Sequence, residues 1–201
     1  MKTRIAVLVS GGGTNLQALI NAEKSGIIKS GNIVLVVSNN PNAYALERAE
    51  DASIPTAVVT KKECKSAEAF EEKLLSVLQD ARIDMIVLAG FMSILSPRFI
   101  EAYRDRIINV HPSLIPSFCG EGFYGLKVHE AALKYGVKVT GATVHYVNEI
   151  PDGGRIILQK AVPIRQHETP ETLQRRVMEQ AEWKLLPRAC EMVARRIAAG
   201  M

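Results

Sequence analysis

Arg4-Ile5-Ala6-Val7-Leu8-Val9, followed at once by Ser10-Gly11-Gly12-Gly13-Thr14-Asn15, is the stretch on which the fold turns. A short unbroken apolar run rich in β-branched side chains suits a strand buried on both faces of a parallel sheet. Apolar residues then recur at helical spacing through Leu16, Leu19 and Ile20, so a helix is expected from Leu16 to Ser25. Strand, glycine loop and helix in this order make a phosphate cradle. Glycines let backbone N–H groups approach an anion, and the new helix N-terminus adds free donors and a favourable dipole. Gly13, Thr14 and Asn15 are the candidate anion contacts. The loop lacks the third glycine of a dinucleotide loop and the Lys-Ser/Thr pair of an ATP loop, so the ligand it suits is a monophosphate. A tight turn that needs glycine only for its own geometry is the competing reading.

Outward from this stretch the alternation continues. Strands are expected at Asn32 to Ser38, Pro55 to Val59 and Met85 to Leu88, with a helix from about Ala43 to Ala52. A second helix, capped by Ser66, places Phe70, Leu74 and Leu78 on one face as it runs to Ala81. Repeated βα units predict an α/β fold: a doubly wound, mostly parallel sheet, Rossmann-like in its N-terminal half. Ligands of such sheets bind outside the carboxyl ends of the strands. Three loops leave such ends, after Val9, after Leu88 and after Asn109.

The third of these follows Ile107-Ile108-Asn109-Val110-His111-Pro112. Side chains at i and i+2 of a strand share a face, so Asn109 and His111 look into one space, and Pro112 keeps His111 extended. A buried histidine satisfied by its neighbours would read the same way. Further on, a helix is expected from Lys127 to Tyr135, ending at Gly136. A strand from Thr140 to Val147 puts Thr143 and His145 on one face, and another runs from Ile156 to Val162. From Pro170 to Ala199 the pattern is helical, with a break expected at Pro187. Lone His145 makes a poor metal site and suits a packed or supporting role.

The 201 residues are enough for one substantial core. A net charge of +4, with the C-terminal arginines interleaved with acids, argues for a solvated helix face and against a nucleic-acid stripe. Cys64, Cys119 and Cys190 have no metal-ligand spacing, no signal core follows Met1, and no apolar run reaches membrane length. The expectation is a cytoplasmic protein without metal, nucleic-acid or membrane partners. Cys119 lies near the motif but has no activating neighbour in sequence, so it is read as incidental.

If the fold gathers Asn109, His111 and Asp152, the set suits acyl transfer to an amine. An amide and an imidazolium stabilise a developing oxyanion, while a carboxylate raises the imidazole pKa and helps move a proton. Asp152 alone, in Asp152-Gly153-Gly154, reads equally as turn chemistry.

Four segments then carry a resemblance over nearly the whole chain: Ser10 to Gln17, Leu88 to Ser96, Ile108 to Phe118, and Gly141 to Val147 with Asp152-Gly153-Gly154 and Ile156 to Pro163. Together they resemble the phosphoribosylglycinamide formyltransferase family. That resemblance implies formyl transfer from 10-formyltetrahydrofolate, a co-substrate, to the glycinamide amine of a ribonucleotide in purine biosynthesis. It implies that Asn109 and His111 stabilise the oxyanion and Asp152 assists proton transfer. Gly13, Thr14 and Asn15 would hold the phosphate, and Glu182 the ribonucleotide. Met92, Ser93, Ile94 and Leu95, with Asn148, Glu149, Ile150 and Pro151, would line the pterin pocket. On the same reading residues 1–201 form one domain, with a phosphate-binding half to about 105 and a catalytic, folate-binding half from about 106, working as monomer or homodimer.

The chain departs from many members at Asn148, often acidic, at Gly154-Arg155, often Gly-Pro or similar, and at Ala67, often basic. Its Cys119 to Val128 segment is also longer, either a lid or simply a longer loop. Two enzymes with related sites compete. A formyltetrahydrofolate deformylase would use water in place of the amine and usually has an extra N-terminal domain. A methionyl-tRNA formyltransferase would add a C-terminal RNA-binding domain. A non-catalytic nucleotide-binding module is the third alternative, and the intact Asn109, His111 and Asp152 set speaks against it.

Overall fold

The computed structural model describes residues 1–201. In chain order the elements are β1 (Thr3–Val9), α1 (Thr14–Lys24), β2 (Gly31–Ser38), α2 (Tyr44–Asp51), β3 (Thr56–Val58), α3 (Lys61–Cys64), α4 (Ala67–Asp80) and β4 (Met85–Leu88). There follow α5 (Pro97–Ala102), β5 (Ile107–His111), α6 (Leu126–Tyr135), β6 (Val139–Tyr146), β7 (Ile156–Pro163), α7 (Pro170–Val177), a π turn (Met178–Glu182) and α8 (Trp183–Ala198). Every expected strand is present within a residue or two. The additional helix α5 begins where Ser96 accepts a hydrogen bond from the Phe99 N–H and Pro97 stands in the first turn. Both are ordinary start signals.

One sheet runs β3-β2-β1-β4-β5-β6-β7. The first five strands pair in parallel, and β6 and β7 run antiparallel. The connection from Val147 to Arg155 is too short for a crossover, so β7 turns back beside β6. β1 shows why its sequence is apolar without interruption. Ile5, Val7 and Val9 enter a core cluster with Leu16 and Leu19 of α1 and Leu186 of α8. Ala6 and Leu8 enter the opposite cluster with Phe70, Leu74 and Leu78 of α4 and Phe99 of α5. Two buried faces require apolar residues at both phases of the strand.

The chain winds outward from β1 through β2 to β3 and returns to place β4 on the other side of β1, so a crevice opens at the carboxyl ends of β1 and β4. The expected break at Pro187 does not occur. Helix α8 runs through that residue, and the irregularity is the π turn just before it. Pro187 falls in the first turns of α8, just after the π turn, where the carbonyl its ring would crowd is that of Trp183, the first residue of the helix. No helix is long and apolar enough to cross a membrane.

Candidate active site

β5 presents the site. Ile107 is buried in the α4–α5 cluster, and Asn109 and His111 follow on the same side at period two. Across the antiparallel pair, Asn109 faces His145 and His111 faces Thr143. Asp152, on the loop between β6 and β7, completes the group. Its Oδ2 lies 3.3 Å from His111 Nδ1 and accepts the Gly120 N–H at 2.9 Å. Its Oδ1 lies 3.5 Å from both Asn109 Nδ2 and His145 Nε2. The structure thus brings together the three residues singled out for chemistry.

Asp152 sits in left-handed backbone, at φ 56°, a region that Asp tolerates better than most residues. Burial opposes its charge most strongly, yet His145, His111 and the Gly120 N–H together hold the carboxyl below its usual value. At His111 the balance goes the other way from the expected rise. Burial lowers its pKa, and the opposing pull of Asp152 and the Phe118 carbonyl is smaller. Both ring nitrogens nonetheless face acceptors, since Nε2 meets the Phe118 carbonyl at 2.9 Å. The resting ring is therefore biased to neutrality, while its surroundings suit an imidazolium once a proton arrives. Phe118 reaches this position in left-handed backbone, at φ 51°.

His145 has the supporting role its alternation suggested. Its Nδ1 meets the Tyr146 carbonyl at 2.8 Å, and its Nε2 lies 3.4 Å from the Asn109 amide and 3.5 Å from Asp152 Oδ1. Thr143 holds the loop after His111: its hydroxyl donates to the Ser113 carbonyl at 2.7 Å and accepts the Ile115 N–H at 3.1 Å. His129 is a member the sequence reading missed. It is fully buried on α6 beside the cavity, neither ring nitrogen has a partner, and burial pushes its pKa down to about 4. Its only signal was its place among Val128 and Ala132 on the buried helix face. Cys119 directs Sγ at the Pro116 carbonyl, 3.3 Å away, and burial raises its thiol pKa, which opposes a nucleophilic role.

These groups open on a cavity of about 620 Å3. Asn109, His111 and Asp152 line it, together with Asn15 and Glu182. Glu182 is buried on the π turn, where burial pushes its carboxyl up to about 7 against the single hydrogen bond from Asn15 Nδ2 at 2.8 Å. The phosphate candidates divide. Gly13 is a left-handed N-cap packed against Ala45, where a Cβ would come within 2.6 Å of the alanine methyl. Thr14 lines a different cavity, between α1 and α8, and its hydroxyl donates to Met178 Sδ at 3.8 Å. No side chain caps α1, and its first backbone hydrogen bond within the helix is made by the Gln17 N–H. The backbone donors ahead of Gln17 at the start of α1 have no partner within the helix.

Met92, Ser93 and Ile94 line the same cavity. Ser93, Ile94 and Leu95 also line an adjoining cavity of about 140 Å3 with Asn148, Glu149, Ile150 and Pro151. Met92, Ile94 and Ile150 are exposed, an apolar rim around a polar centre. No group of three or more His, Cys, Asp or Glu side chains is arranged to hold a metal ion.

Comparison with known proteins adds a second line of argument. The formyl transferase family, as a sequence family, matches residues 3–190. A phosphoribosylglycinamide formyltransferase from Haemophilus influenzae is 42% identical over 184 residues, covering 92% of this chain and 84% of that protein. The trifunctional purine biosynthetic protein adenosine-3 of Bos taurus is 46% identical over 193 residues. There the chain spans only 18% of the relative's length. Among solved structures, phosphoribosylglycinamide formyltransferase from Brucella melitensis superposes with a TM-score of 0.88 at 42% identity, over 100% of this chain and 98% of that one. Glycinamide ribonucleotide transformylase 1 from Symbiobacterium toebii gives a TM-score of 0.90 at 39% identity, over 99% and 89%.

Proposed function

The chain belongs to the formyl transferase family, in the branch of the phosphoribosylglycinamide formyltransferases, and on that premise we propose that it transfers a formyl group from 10-formyltetrahydrofolate to the amine of phosphoribosylglycinamide. The observation that carries this reading is that Asn109, His111 and Asp152 line one cavity together with Asn15 and Glu182, which the ribonucleotide would meet, and with Met92, Ser93 and Ile94, which the formyl donor would meet. A phosphorylated amine held at the first set and a formyl donor at the second meet at the triad.

The phosphate is held by the backbone donors at the start of α1, which the helix dipole reinforces. Glu182, close to half protonated at neutral pH, accepts from or donates to a ribose hydroxyl. The pteridine lies against Met92 to Leu95 and Asn148 to Pro151. The amine attacks the formyl carbon, and the carbonyl oxygen becomes an oxyanion held by the Asn109 amide and the His111 imidazolium. Asp152 stabilises that imidazolium and relays the proton lost by the attacking nitrogen to the departing folate nitrogen as the C–N bond breaks. For His111 Nε2 to face the oxyanion, the Phe118 carbonyl that now occupies it must withdraw. Positioning and electrostatics supply the catalysis, with no covalent intermediate. We place the reaction in the cytoplasm, which three free cysteines support.

The test follows tetrahydrofolate release with and without glycinamide ribonucleotide. Release that requires the amine is expected. Release independent of it would make the chain a hydrolase, and none at all would leave a binding module. His111→Ala is expected to lower turnover at least about 100-fold, the usual scale for an oxyanion donor.

A further inference from the structure

The loop Gly90 to Leu95 rims the donor side of the cavity, yet it makes no backbone-to-backbone hydrogen bond. Met92 and Ile94 are 57% and 77% exposed, so packing does little to hold them. Met92 and Ser93 are tied down by two side-chain contacts, and both come from the phosphate side of the crevice. The Met92 N–H donates to Ser10 Oγ at 2.9 Å. Asn39 Nδ2 donates to Ser93 Oγ at 3.0 Å. Ser10 is itself fixed, because Asn40 Nδ2 donates to its carbonyl at 3.2 Å. Asn40 is held in turn by Ser38, whose hydroxyl donates to the Asn40 carbonyl at 2.8 Å and accepts its N–H at 3.1 Å. From the following residues the glycine loop is pinned to α2, through the Ala45 N–H on the Gly11 carbonyl and Arg48 Nε on the Gly12 carbonyl.

We propose that Ser10 is a positioning residue for the formyl donor: its hydroxyl, held at the start of the glycine loop, fixes the Met92 backbone at the rim of the donor pocket, with Asn39 as the second tether. The residue contacts neither reacting atom. It sets the separation between the phosphate cradle and the pterin-side rim, because a single residue belongs to the first and hydrogen-bonds the second. This inference rests on the donor reading of the Met92 side given above.

Ser10→Ala removes the acceptor while keeping the strand end. It is expected to raise the KM for the formyl donor about five- to tenfold, as loss of one ordering hydrogen bond would. The KM for the ribonucleotide and kcat should stay within about twofold. Ser10→Thr keeps the hydroxyl and should restore the donor KM, and Asn39→Ala should reproduce the donor defect from the second tether. Direct titration with a folate analogue that carries no formyl group reads the same step without turnover. Wild type and Ser10→Ala binding the analogue equally would overturn the proposal, as would an equal rise in both KM values with a fall in Tm, which marks general loosening. If the wild type bound ribonucleotide but no folate analogue, the donor reading itself would fall and take this inference with it.

Discussion

On the proposed mechanism Asp152 and His111 share the work of one proton, and Asp152 can be altered without changing shape. Asp152→Asn keeps the volume and removes the charge that opposes burial at His111. The imidazole pKa, followed by NMR, should fall further below its ordinary value, and turnover should drop about 100-fold or more. An unmoved imidazole titration would mean that Asp152 does not govern the histidine. Cys119→Ser, by contrast, should leave turnover within about twofold, because the thiol only contacts the Pro116 carbonyl. Asn109 and His111 were legible because strand periodicity alone places i and i+2 on one face. Asp152 was legible only as half of a turn, since what makes it more is the approach of Gly120, 32 residues away, and of His145 across the β6–β7 turn. The direction of the His111 shift was misread because the sequence names the carboxylate partner but not the burial that outweighs it.

The inner strands such as β1 and β4 could be read from composition because burial on two faces leaves no polar phase, and α4 because Phe70, Leu74 and Leu78 and the cap at Ser66 repeat signals that act locally, whereas the equally local cap at Ser96 was passed over. The C-terminal helix resisted reading for a physical reason. A π turn has no residue signature of its own, so Pro187 drew attention to the wrong turn, and Glu182 looked like an ordinary acid on a helix face. The widened turn at Met178–Glu182 is what carries that carboxylate inward to Asn15. Deleting the exposed Glu179 would return this stretch to α geometry while leaving α7 and α8 in register. Tm should hold or rise, and the KM for the ribonucleotide should increase at least about tenfold. A variant with regular helix and an unchanged ribonucleotide KM would separate the π turn from substrate binding.

Two buried groups that line the cavity, Glu182 and His129, oppose each other in the pH dependence of the whole fold. Glu182 has its folded pKa raised, from 4.5 to about 7. The native state therefore holds the extra proton between those values, and stability from this residue is full below pH 4.5 and is lost as pH rises toward 7. His129 has its folded pKa lowered, from 6.5 to about 4. The unfolded chain takes the extra proton there, so its contribution is full above pH 6.5 and is lost as pH falls toward 4. Where the windows overlap, from about pH 4.5 to 6.5, one declines as the other grows, and the molecule's stability is flatter than either would make it. Glu182→Gln removes the declining part. Its stability relative to wild type should climb by up to roughly 3 kcal/mol between pH 4.5 and 7.5, the size set by a shift of this magnitude. His129→Gln should show the opposite tilt, with its greatest relative gain near pH 4. Urea unfolding of the three proteins across this range measures both differences directly. Parallel curves for Glu182→Gln and wild type would mean that the buried carboxyl titrates as an ordinary surface acid, and the cavity would then have to be wetter than its burial implies.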